Sequence, residues 1–201
     1  MTTNAGTATL LTLFRPATGE LRAKGVLSAP NAIVHPWLKE QLGEVLAEIE
    51  KQQPAGSLPP EAERPLYAQW EAWLGHPSRN PSLPPFRIVL VLDTLAGHLS
   101  SDLVGWFFAH GVMPLSTPIG GSWLKMAESV QRIIVPRALA GHHPKNAQEV
   151  IEWVEHTVAG WNQHPTPFVW NGTRRRRRER ATLRRFAGSG AAIRVRNPLG
   201  R

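Results

Sequence analysis

The stretch Arg87 to Arg137, RIVLVLDTLAGHLSSDLVGWFFAHGVMPLSTPIGGSWLKMAESVQRIIVPR, decides how the rest of the chain is read. It opens on an unbroken apolar run, Ile88 to Leu92, which predicts a strand buried on both faces, because a strand with one wet face alternates. Asp93 ends the run. A carboxylate at the C-terminal end of a buried strand lies at the rim where open α/β sheets gather their chemistry, so Asp93 is a candidate ligand or catalytic group. A second acid, Glu128, follows 35 positions later, with enough chain between for a helix, a short strand and a Gly-containing loop to return it beside the first.

Those pieces can be read one by one. Ser100 or Ser101 can cap a helix whose apolar residues Leu103, Val104, Trp106, Phe107 and Phe108 face the sheet, and Gly111 supplies the left-handed residue that ends it. Val112 to Leu115 then reads as a short strand. Pro118, Gly120 and Gly121 break the pattern, and Ser122 can cap a new helix with Trp123, Ala127, Val130 and Ile134 on one face. Glu128 falls about 100° round from Ala127, on the margin of that face, where a side chain reaches past a sheet edge and still meets water.

Two carboxylates separated in this way are what divalent-metal phosphoryl transfer requires. Mg²⁺ is held through one or two carboxylates together with phosphate oxygens and retained waters, and paired ions stabilise both the attacking and the leaving oxygen. The same two residues also fit a plainer reading, in which Asp93 starts a turn and Glu128 is a solvated helix residue. The wording around the acids separates these readings.

The run LVLDTLAGHLSSDLVGWF, then PLSTP, then SWLKMAESVQRI, then WNQHPTPFVW resembles the DDE-type transposases of bacterial insertion sequences related to mariner elements. In that family a strand-end Asp is followed five residues on by a His, matched by Asp93 and His98, and an S-W-L-N-x-x-E segment carries the last acid, matched by Ser122, Trp123, Leu124 and Glu128. The 34 residues between the acids equal the family's usual gap. The resemblance covers Gly6 to Thr173. It implies an RNase H-like fold that nicks DNA and joins strands with Mg²⁺ or Mn²⁺, with Asp93 and Glu128 as metal ligands and His98 in the active-site neighbourhood. Thr94 and Lys125 depart from the family's usual Asn at both positions. A cation in the first turn of a helix opposes the helix dipole, so Lys125 either pairs with an acid or a DNA phosphate, or marks a copy drifting from activity.

The resemblance also implies three acids, the first on a central strand that precedes a hairpin. Here Gly6 to Phe14 reads as a strand, Pro16 to Gly19 as a turn and Glu20 to Leu27 as the returning strand. No acid precedes Glu20. The expectation is therefore a catalytic domain without its first strand, with the missing piece supplied by an upstream-encoded fragment and the chain inactive alone. A homodimer is a second partner compatible with this reading.

Elsewhere the pattern is regular. Val34 to Gln53 predicts a helix with Trp37, Leu38, Leu42, Val45, Leu46 and Ile49 as its apolar stripe and Lys39, Glu40, Glu44 and Glu48 off it. Residues 54–85 are rich in Pro, Glu, Ser and Trp and read as a loop insertion with a helical turn over Tyr67 to Leu74, its Trp70 and Trp73 covering the sheet edge or, in a functional reading, stacking on bases. Asn146 to Trp161 predicts a last helix, with Val150, Ile151, Val154, Val158 and Trp161 along one side. His142 and His143 lack a third ligand at a metal-site spacing and read as polar loop residues. His164 to Phe168 cannot continue a helix, and is expected to fold Phe168 and Trp170 over the core.

The net charge of +8 is a property of the tail. Residues 1–173 carry 12 basic against 14 acidic side chains, and residues 174–201 carry 11 Arg against one Glu. Arg174, Arg175, Arg176, Arg177, Arg178, Arg180, Arg184 and Arg185 form a block that reads as disordered when free and as a sequence-blind grip on DNA, with Lys125 as a further phosphate-binding residue. There is no cysteine, no signal peptide and no apolar stretch near the ~20 residues of a membrane helix, which together favour a cytoplasmic, nucleoid-associated protein.

The reading is thus an α/β protein: an RNase H-like mixed sheet flanked by helices over 1–173, and a basic tail over 174–201. Two rivals remain at this point. One is a non-catalytic DNA-binding remnant of such a transposase. The other is a doubly wound domain holding a small phosphorylated ligand at Gly120–Gly121, although that loop lacks the Gly-Lys-Ser/Thr ending of a P-loop.

Overall fold

In a computed structural model of the chain, residues 7–52, 60–75, 84–92, 100–117 and 126–168 are described. Their order is β1 (Thr9–Arg15), β2 (Glu20–Val26), α1 (Asn31–Gln52), α2 (Pro60–Leu74), β3 (Ile88–Leu92), α3 (Ser101–Ala109), β4 (Val112–Ser116), α4 (Met126–Leu139) and α5 (Ala147–Gln163). The architecture is mixed α/β, and all of these elements lie within Met1–Thr166. Among the described residues no helix is long and apolar enough to cross a membrane.

The strands form two sheets rather than the single mixed sheet expected from the sequence. β1 and β2 pair antiparallel from Thr9↔Val26 to Arg15↔Glu20. β3 and β4 pair parallel from Ile88↔Val112 to Leu92↔Ser116, with α3 as the crossover. No ladder joins the two sheets among the described residues.

The hairpin turn behaves as its residues require. Gly19 sits at φ +79°, and a Cβ there would lie 2.0 Å from the Thr166 carbonyl oxygen, so both conformation and space demand glycine. One face of the hairpin carries Leu11, Leu13 and Val26 against Trp37 and Leu38 of α1. On its other face Leu10, Phe14, Leu21 and Ala23 pack with Val130, Ile134 and Ala138 of α4 and with Val154 and Val158 of α5. The antiparallel sheet is therefore the middle of a three-layer stack.

The acids off the stripe of α1 form its second attachment to the hairpin. Arg22 reaches Glu44, Glu48 (2.6 Å) and Glu20, while Arg15 Nη1 meets the other oxygen of Glu48 at 2.8 Å. Arg22 Nε stands 3.0 Å from Glu20, an ion-pair distance without hydrogen-bond geometry.

The parallel sheet is covered differently. Leu90, Leu92 and Val112 pack with Leu42 and Leu46 of α1 and with Leu103 and Phe107 of α3. Val89 and Val91 point the other way and are 61% and 47% exposed, so β3 is buried on one face only, against the expectation of two. Its continuous apolar run is matched by no second covering layer among the described residues. Ser100 caps α3 by accepting from the Leu103 N–H, as its sequence position implied, and Gly111 closes the helix at φ +68°.

α2 begins earlier than the pattern around Tyr67 indicated; Tyr67 and Trp70 pack on α3, while Trp73 is exposed. Tyr67 stacks on Phe86 at 3.8 Å and packs on Val104 and Phe108, while its hydroxyl donates to the Pro84 carbonyl at 2.6 Å. α1 likewise starts at Asn31, three residues before the expected Val34, with Pro36 inside it.

Candidate metal-binding site at the first turn of α4

α4 is oriented by its buried stripe, Val130, Ile134 and Ala138, and by Gln131, whose amide donates to the Thr12 hydroxyl at 2.7 Å and, at 3.5 Å, to the Leu10 carbonyl of β1. This fixes the rotation of the helix against the hairpin. Glu128 then emerges in the first turn at the edge of the buried stripe, as helical geometry required.

The two oxygens of its carboxylate differ. Oε1 accepts from Arg132 Nη2 at 2.9 Å, an i,i+4 pair whose arginine is largely exposed. Such a surface pair contributes at most about 1 kcal/mol. Oε2 is buried and has no hydrogen-bond partner among the described residues. A buried, unmatched carboxylate oxygen is costly to leave so. It is also an open donor position for a hard cation, which takes oxygen ligands.

The other half of the expected acid pair is visible only up to its anchor. Leu92, the last residue of β3, is pinned by its carbonyl, which accepts from the Thr117 N–H at 2.9 Å. Ser116, in register with Leu92, has a buried hydroxyl without a partner among the described residues. Asp93, which follows directly, and His98, five residues after it, lie outside the described residues, as do Lys125, Ser122, Trp123 and Arg174, Arg175, Arg176, Arg177, Arg178, Arg180, Arg184 and Arg185. Of the three expected catalytic residues, the structure therefore places Glu128 alone.

Among the described residues no group of three or more His, Asp or Glu side chains could hold a metal ion. His142 and His143 are exposed on their loop, and His142 leans on Trp153 at 4.8 Å. Phe168 is 36% exposed, and Trp170 falls outside the described residues.

Sequence reasoning did not single out Ser116, Gln131 or the polar residues of α5. Asn162 and Glu155 of that helix bond the backbone of β2 across about 140 and 130 residues of chain, and nothing in the local pattern marks them for it. Comparison with protein-family models, with curated proteins and with solved structures finds no match for this chain.

Proposed function

We propose that the chain is the catalytic portion of a DDE-type insertion-sequence transposase related to the mariner group, acting by metal-dependent DNA cleavage and strand transfer. Its fold would be RNase H-like, with Asp93 and Glu128 as ligands for Mg²⁺ or Mn²⁺, His98 beside them and the arginine tail on DNA. The observation that carries this reading is the unmatched, buried Oε2 of Glu128, at the helical position where the resemblance sets the last acid. Support also comes from the element order: a hairpin, two helices, a strand ending before Asp93, a crossover to a parallel strand, and then the Glu128 helix. A divalent ion would supply charge stabilisation at a phosphodiester. This chain's part is to hold one carboxylate on α4 and another at the end of β3, and to retain the polyanion through residues 174–201.

The test is a Mn²⁺ titration of the chain beside Asp93→Ala and Glu128→Ala: both substitutions are expected to weaken Mn²⁺ binding, and equal binding in all three would remove the proposed site. The charge split between body and tail favours a second reading, a non-catalytic DNA-binding remnant. In that case salt-sensitive duplex binding persists while neither substitution alters Mn²⁺ binding. In either reading, truncation after Thr173 should flatten the salt dependence of duplex binding, by about 0.9 in the log–log slope for each phosphate that the tail had neutralised.

A further inference from the structure

The carboxylates of the structure differ in how many of their oxygens are in use. Glu48 has both taken, Oε2 by Arg15 at 2.8 Å and Oε1 by Arg22 at 2.6 Å, so it is wholly engaged in joining α1 to the hairpin. Glu128 has one taken. Arg132 holds Oε1 at 2.9 Å, and Oε2 is buried with no hydrogen-bond partner among the described residues.

This half-use has a local cause. Residues four apart share a helix face, and an acid placed N-terminal to its base is the favoured order, since the acid then lies toward the positive end of the helix dipole. Glu128 stands in the first turn of α4, and Arg132 follows one turn later. Gln131 fixes the rotation of the helix through Thr12 and Leu10, which keeps Glu128 at the margin of the buried stripe. The Arg132 side chain is 76% exposed and that of Glu128 32%. The guanidinium therefore meets the carboxylate from the solvent side and leaves the inward oxygen open.

A carboxylate with one open oxygen discriminates among divalent cations. Mg²⁺ is small and holds to a near-octahedral ligand set, and Mn²⁺ also favours six oxygens in that arrangement. The two oxygens of one carboxylate subtend too narrow an angle to fill neighbouring vertices of an octahedron, so these ions take such a group through a single oxygen. Ca²⁺ is larger, accepts six to eight ligands in flexible geometry, and readily uses both oxygens of a carboxylate.

We infer that Arg132 is a positioning residue that sets the cation preference of the site: by occupying Oε1 it limits Glu128 to a single-oxygen ligand, which suits Mg²⁺ or Mn²⁺ and handicaps Ca²⁺. The inference rests on the metal role proposed for Glu128 and goes beyond it, because that role requires no counter-ion on the carboxylate. The guanidinium charge opposes every divalent cation, so its removal raises all affinities, and Ca²⁺ alone gains a second oxygen as well. An exposed i,i+4 pair is displaced at small cost, which limits the selectivity due to Arg132 to about fivefold.

The experiment titrates Mn²⁺ into the full chain, reading free Mn²⁺ by electron paramagnetic resonance, and then displaces it with Ca²⁺. Arg132→Met removes charge and donor, and Arg132→Lys keeps both. Because the side chain is largely exposed, neither substitution disturbs the core. The ratio of Ca²⁺ to Mn²⁺ affinity should rise by about two- to fivefold in Arg132→Met and by less than about twofold in Arg132→Lys. A ratio unchanged in Arg132→Met, while Glu128→Ala still weakens Mn²⁺ binding, overturns the inference and leaves the metal site standing. A rise of equal size in both Arg132 variants also overturns it, since the charged donor is then not the cause. Mn²⁺ bound equally by the parent and by Glu128→Ala removes the site itself, and the inference with it.

Discussion

The hairpin sheet and the parallel sheet have equal strand numbers and unequal cover. The hairpin is closed on both faces, by α1 on one and by α4 and α5 on the other, and Leu21 near its turn is fully buried. The parallel pair has α1 and α3 on one face and presents Val89, Val91 and Leu115 on the opposite one. Antiparallel sheets tolerate a wet face, but parallel sheets almost always have both faces covered. The sheet type that most needs two covers is thus the one with a single cover among the described residues.

Three substitutions test this contrast, the largest effect first. Leu21→Ala opens a cavity in the doubly covered hairpin and should cost about 2–5 kcal/mol in urea unfolding. A cost under about 1 kcal/mol, small for a buried leucine, would mean that the hairpin is no better packed than its neighbour. Asn162→Ala strips two bonds from the backbone of β2 and should cost about 1–3 kcal/mol. It should also raise the tendency of the chain to self-associate in light scattering, because unpaired strand backbone appears. Val89→Thr keeps the β-branched shape and changes only an exposed methyl, so stability should stay within about 0.5 kcal/mol. A loss well above that would place a cover on the face here described as open.

Local signals carried much of this architecture. The turn at Pro16 to Gly19 and the Ser100 cap each depend on a few neighbouring residues, and each forms where the pattern indicated, whereas Asn146, read as the first residue of the last helix, is its cap and accepts from the Glu149 N–H at 2.9 Å. The stripes of α1 and α5 bury Trp37, Leu42, Val45 and Leu46 and Ile151, Val154 and Val158, and leave Leu38, Ile49, Val150 and Trp161 half-buried at their margins. What could not be read is non-local. A run such as Ile88 to Leu92 looks the same whether its second face is covered by its own chain, by another molecule or by nothing. The position of Glu128 on its helix was legible from periodicity, but the unequal environment of its two oxygens was not, because it depends on where Arg132 extends.

The bonds between the hairpin and α5 have a consequence for how the chain is made. The Trp161 indole donates to the Gly19 carbonyl and Asn162 grips Leu21, partners 142 and 141 residues apart. An isolated two-stranded hairpin is marginal in water. At ribosomal rates of about 5–20 residues per second, its closing helix therefore arrives on the order of 10 s after the hairpin leaves the tunnel. Through that interval the hairpin remains without its last cover, so slowing elongation anywhere between β2 and α5 should lower the yield of folded protein.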